Sequence, residues 1–252
     1  QQNSLCLLMP KLKNRVKSIV SLVLISLINV QDANSMGLRS FVGLPIAQGA
    51  YVVRLSYEQL QGGDRGVLIS SVAYGIANDK ALLIGVPYRV SRNDDDRYGD
   101  ISTLFRYTVL QDDFFSGTSR LALLGGVVVP SYNDRKPAVQ AGLVYTIFKN
   151  RNEFDIDVLY QVGTDNRPNT GRFDISWQYR LSPSLLPDWG IASQLNSVAE
   201  LNTRWQEGDE VTHQFTLGLQ WVHPTWIIEG GAIQNITNNN ELGFILSTRF
   251  QF

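Results

Sequence analysis

The chain has 252 residues, 44% hydrophobic and 18% charged, with a formal net charge of −1. That balance excludes an electrostatic nucleic-acid binder, which needs a clustered basic surface, and a disordered chain, which cannot bury enough apolar area. Past the first 35 residues no run approaches the ~18 consecutive apolar residues of a membrane-spanning helix.

Residues 1–35 read as an address. Met9 is taken as the start, with extra residues before it. Lys11, Lys13, Arg15 and Lys17 follow, with no acid before Asp32. The apolar run Ile19–Val30 and the small residues Ala33 and Ser35 complete a secretory signal peptide with its cleavage site. The run is too short to span a bilayer comfortably, which argues against an anchor. The single cysteine, Cys6, falls in this segment, so the mature domain, 36–252, has no thiol for a disulfide, a metal or a nucleophile. No cysteine follows the cleavage region to carry a lipid.

From Tyr51 onward the chain alternates with period two, which places successive side chains on opposite faces of a sheet. The first stretch puts Tyr51, Val53, Leu55 and Tyr57 on one face and Arg54, Ser56 and Glu58 on the other. Leu82–Tyr88, Ile101–Val109, Val139–Ile147, Phe154–Tyr160, Phe173–Tyr179 and Phe215–Trp221 repeat the pattern. The spacing predicts twelve strands near 51–60, 67–77, 81–90, 99–110, 119–129, 138–148, 154–163, 172–180, 190–204, 211–221, 226–234 and 242–252. Segments 67–77, 119–129, 190–204 and 226–234 alternate less cleanly, and LALLGGVVV has no polar face of its own. Each segment is near the ~9–11 residues that a tilted membrane strand needs.

Period alone does not separate a soluble sandwich from a membrane barrel. Three features favour the barrel. The signal peptide permits it. Tyr51, Tyr107, Tyr179, Trp189, Trp221, Trp226 and Phe250 gather at one predicted edge, as an interfacial aromatic girdle does. The chain also ends in an alternating stretch closed by Phe252, which resembles the terminal signature read by the bacterial barrel assembly machinery. The expected fold is all-β, a closed antiparallel up-and-down transmembrane barrel in the outer membrane, in contact with its lipid and lipopolysaccharide. Connections near 61–66, 91–98, 130–137, 164–171, 205–210 and 235–241 fall outside the cell. Turns near 78–80, 111–118, 149–153, 181–189 and 222–225 fall in the periplasm. No external loop is long enough to fold into a plug.

The segments FVGLPIAQGAYVVRLSYEQLQ (41–61), GDISTLFRYTVLQDD (99–113) and SRLALLGGVVVPS (119–131) carry a likeness to a known family. They resemble the outer-membrane transporter family associated with the meta-pathway of phenol degradation. The resemblance implies a channel for small hydrophobic or aromatic molecules and brings no catalytic residues.

Inward parity collects Arg54, Arg106, Arg172, Arg180, Arg204 and Arg249 with Glu58, Asp100, Asp155, Asp157, Asp174, Glu200 and Glu229. Two readings stay open: a polar solute pathway with a lateral field, or a network of ion pairs filling a narrow barrel. Near-equal signs predict weak ion selectivity. The acidic loop Asn93–Asp96 has no ordered ligand pattern for a cation and reads as solvated. No metal site, cofactor or nucleotide motif is expected. His213 lies at the outer end of the tenth strand on the lipid-facing parity, but the residue two along is Phe215 rather than serine. A lipid hydrolase is therefore the secondary expectation, a surface barrel with a closed lumen the third, and passive passage of small solutes the first.

Overall fold

The alternating stretches form twelve antiparallel strands in a computed structural model, which describes residues 37–60, 66–90, 97–182, 193–237 and 241–252. The signal peptide, Trp189 and the Asn93–Asp96 loop lie outside the described residues. In chain order the strands are β1 (Tyr51–Leu60), β2 (Gly66–Ala77), β3 (Lys80–Arg89), β4 (Ile101–Phe114), β5 (Gly117–Val129), β6 (Ala138–Lys149), β7 (Asn152–Gly163), β8 (Thr170–Arg180), β9 (Gln194–Gln206), β10 (Thr212–Val222), β11 (Trp226–Asn235) and β12 (Leu242–Gln251). Each pairs with its sequence neighbours, and β1 pairs with β12 from Val52↔Gln251 to Leu60↔Gly243, so the sheet closes into a barrel. Tyr51 and Phe252 seal that seam, with their backbones exchanging two 3.0 Å hydrogen bonds and their rings stacked at 5.1 Å. The near end of the barrel is the one where β1 begins and β12 ends.

The alternation decides what surrounds the barrel. On β7, Glu153, Asp155, Asp157 and Gln161 are buried, whereas Phe154, Ile156, Val158, Tyr160 and Val162 are exposed. On β10, Gln214, Thr216 and Gln220 are buried and Phe215, Leu217, Leu219 and Trp221 exposed. A water-soluble sheet would invert this arrangement. An apolar exterior around a polar interior, with no open edge, is the pattern of a transmembrane β-barrel.

Two connections are shorter than the sequence suggests. The stretch 111–118 is not a turn: β4 runs on to Phe114, and Phe115-Ser116 joins it to β5. Likewise Asn150-Arg151 alone joins β6 to β7. Ser116 (φ 67°) and Asn150 (φ 57°) supply the left-handed backbone such tight hairpins use. A bulge between Thr108 and Leu110 inverts the side-chain parity of β4 and ends the visible alternation early.

The Gly230-Gly231 ladder is continuous on both sides. At Pro87, which has no N–H to give, the β3–β4 ladder stops after Gly85↔Ser102. Beyond it the two strands are held by Gly99 N donating to the Pro87 carbonyl (2.7 Å) and by a Tyr88↔Tyr98 bridge.

Residues 37–50 precede β1 and form no strand; they run inside the barrel. Gly49 N donates to the Gly75 carbonyl (2.8 Å) and Gly75 N to that of Ala50 (2.9 Å), which pins the entry at the near end. Only glycine fits there, since a Cβ on residue 75 would lie 2.0 Å from the Ala47 carbonyl oxygen.

Candidate functional site

The lumen is organised around this internal segment, and two apolar patches on the inner wall receive its side chains. Leu38, 1% exposed, packs on Val198, Ile233 and Ile245. The wall can take it because residue 218 is glycine: a Cβ there would sit 2.6 Å from Leu38 Cδ1 and 2.5 Å from the Gly230 carbonyl oxygen. Phe41 packs with Leu83 against Leu104, Ala122, Leu124, Val144 and Leu159. This explains LALLGGVVV: its inward residues Ala122 and Leu124 face the segment rather than water. The Arg172 guanidinium covers the Phe41 ring at 3.9 Å.

Between these anchors the segment's backbone has wall partners, as buried peptide groups require. Arg39 N donates to Glu200 (3.0 Å to Oε2) and Ser40 Oγ to Glu200 Oε1 (3.0 Å). Phe41 N donates to Asp157 Oδ2 (2.7 Å) and Gly43 N to Thr146 Oγ1 (2.8 Å). In return Arg249 Nη2 donates to the Gly37 carbonyl (2.7 Å), Arg106 Nη1 to that of Val42 (2.7 Å), and Arg54 to that of Leu38. The Arg39 side chain reaches Glu58 (3.1 Å) and Gln214 Oε1 (2.6 Å).

The inward ionisable set divides by location. Glu229 pairs with Arg249 (2.7 Å) and Arg54 (2.8 Å). Asp157 pairs with Arg172 (2.9 Å), while Asp174 pairs with Arg204 and lies 3.6 Å from Arg172. Asp155 accepts from Thr146 Oγ1 (2.6 Å) and from Gln178 Nε2 (3.2 Å), which also donates to Glu153 (3.2 Å). Glu200 and Arg106 hold the internal segment. Arg180 lies at the near end, 5.7 Å from the Phe148 ring. Asp100 stands apart at the far end.

There Asp100 joins three connections. It accepts from Arg135 Nη1 (3.0 Å) and Ser131 N (3.3 Å) and pairs with Arg167 (2.8 Å). Tyr98 N donates to Tyr132 Oη (3.3 Å), and Arg135 stacks over Tyr132 at 4.9 Å. Burial pushes the Asp100 carboxyl up, but the hydrogen bonds from Arg135 and Ser131 and the nearby Arg167 charge outweigh it and leave it below the ordinary value.

Sequence reasoning missed Leu38, Arg39, Phe41 and Val42. Their signal was indirect: an unpatterned apolar stretch before β1, facing apolar residues at inward positions of β5, β9, β11 and β12. His213 is exposed on the outer face, its Nδ1 3.0 Å from Thr203 Oγ1. No group of three His, Cys, Asp or Glu placed to hold a metal occurs among the described residues.

No protein-family model matches the chain, and no curated relative does. Solved structures do. The barrel of the KdgM porin matches with a TM-score of 0.53 at 11% identity, over 80% of this chain and 99% of that one. The KdgM porin in complex with disordered oligogalacturonate matches at 0.52 and 12% identity, over 80% and 99%. The NanC porin matches at 0.51 and 13% identity, over 79% and 98%. Likeness at such low identity is a likeness of fold: the chain has the architecture of these porins.

Proposed function

We propose that the chain is a bacterial outer-membrane channel through which small molecules move passively, without cofactor or nucleotide. The observation that carries this reading is the polar inner wall of a closed barrel whose outside is apolar. The inward charges from Arg54 to Arg249 line the pathway, and the segment 37–50 narrows it from the periplasmic side. The likeness in fold to porins supports it, one of them bound to oligogalacturonate.

Hydrophobic or aromatic solutes fit the finer reading. The resemblance of 41–61, 99–113 and 119–131 to the phenol meta-pathway transporters supports it. So do the two apolar patches, which already hold a leucine and a phenylalanine side chain. The β3–β4 seam at Pro87 offers such solutes a way into the bilayer. Outside, lipid and lipopolysaccharide surround the barrel, and Phe252 presents the terminal aromatic to the assembly machinery. Liposome swelling with purified protein tests the channel, and impermeability to every small solute refutes it.

One observation favours a second reading. Thr203 and His213 place a hydroxyl and an imidazole 3.0 Å apart on the outer surface. A lipid hydrolase built on them predicts phospholipid cleavage that His213→Ala abolishes. The channel reading is preferred because no carboxylate or amide among the described residues orients that ring as a triad requires.

A further inference from the structure

The two signs of charge in the lumen are not equally presented to its water. In the Arg172–Asp157 pair the guanidinium side chain keeps 22% of its accessible surface and the carboxylate 0%. Arg204 keeps 30% over Asp174 at 0%, and Arg54 keeps 19% over Glu229 at 0%. Three pairs depart from this: Glu58, 20% exposed, is clamped by Arg39 through Nε (3.2 Å) and Nη2 (3.1 Å), Arg249 and Glu229 are both closed off at 0%, and at the near end Asp113 keeps 61% against 8% for Arg120. The cause is side-chain length. Aspartate on a strand keeps its carboxylate against the wall, whereas the long arginine crosses over it and ends toward the axis. At Arg172, Arg204 and Arg54 a solute therefore meets the guanidinium rather than its carboxylate, although the sequence counts balance.

Arg172 and Arg204 are direct cross-strand partners on β8 and β9 and share Asp174. Arg172 places Nε and Nη2 on Asp157, and Nη1 meets no acceptor among the described residues. Arg204 places Nη1 and Nη2 on Asp174, and Nε is likewise unengaged among them. Guanidinium N–H groups in this state match the fork geometry of a carboxylate. Arg39, from the internal segment, adds a third cation beside Asn202 and Gln214.

We propose that Arg172 and Arg204, with Arg39 beside them, form an anion subsite in the lumen that favours small carboxylates over cations. The proposal rests on the channel reading and names its solute class. It is tested on the full-length mature protein in planar bilayers. In a tenfold KCl gradient the reversal potential is expected to give chloride about threefold or greater preference over potassium, and acetate is expected to reduce the chloride current in a saturable way. The double changes Arg204→Gln with Asp174→Asn, and Arg172→Gln with Asp157→Asn, remove a cation without stranding a buried carboxylate. Each is expected to move the preference toward unity. A current with no preference, or one for potassium, overturns the subsite and leaves the channel standing. So does an unchanged preference in both folded double variants. Absence of any current overturns the channel and the subsite with it. If a double variant does not fold, the wild-type reversal potential and acetate competition still decide.

Discussion

Leu38→Ala should loosen the seat of the internal segment, and the size of the effect follows from its pocket. Leu38 is 1% exposed against Val198, Ile233 and Ile245, with the Gly218 backbone beneath it. Truncating a buried leucine costs ~2–5 kcal/mol, and the cost is high where the walls cannot close in. Here the walls are strands held in a closed ladder, so collapse is limited. The carbonyl contacts from Arg54 and Arg249 survive the change, since they do not involve the side chain. A loss of about 3 kcal/mol shifts the ratio of seated to unseated segment by about two orders of magnitude. Single-channel recording should then show larger or more frequent openings in L38A than in wild type. Leu217→Ala, which trims a residue 53% exposed on the outer face, should change neither. If L38A conducts and gates as wild type does, the segment does not control passage.

Three further outcomes are expected. Gly75→Ala puts a Cβ against the Ala47 and Ile46 carbonyls, which are backbone and must move, so conductance should rise as in L38A; an unchanged trace would place the entry of the segment elsewhere. At the far end, the Asp100 carboxyl titrates below its ordinary ~3.9. Its contribution to the contact among the 97–100, 130–137 and 164–169 connections is full above that value and is lost as pH falls through the depressed one. Asp100→Asn should therefore show at pH 7 the loop noise that wild type acquires only at low pH, and quiet traces in D100N would contradict this. Phe252→Ala removes a ring stacked on Tyr51, worth ~0.5–1.5 kcal/mol beyond its area, and the aromatic that we propose the assembly machinery reads. The folded, heat-modifiable fraction in membranes should fall, and a wild-type fraction would remove Phe252 from that role.

Which features were legible follows from what one period can encode. Strand positions such as Phe154–Tyr160 and Phe215–Trp221 were readable because one face must be apolar and the other polar along the whole segment. The continuation of β4 to Phe114 was not, because the bulge at Thr108/Leu110 sets two apolar residues side by side and breaks the pattern. The inward ionisable residues could be assigned to a face by parity. Their pairing could not, since it depends on the stagger between strands, which brings Arg204 of β9 to Asp174 of β8 and Asp157 of β7 to Arg172 of β8. The internal segment was least visible. Leu38, Phe41 and Val42 have no periodicity, and their partners are inward apolar residues scattered over many strands. The lack of a polar face in LALLGGVVV was the local trace of that packing.

The central claim is that the apolar rows contact lipid and the polar rows surround an axis. It is tested most directly by placing a nitroxide at each position of β10 from Gln214 to Trp221 in reconstituted barrels. Labels at 215, 217, 219 and 221 are expected to relax with dissolved oxygen and to ignore a water-soluble nickel chelate, while 214, 216, 218 and 220 are shielded from the oxygen of the bilayer. Loss of the alternation, or nickel access to the odd positions, would contradict the account.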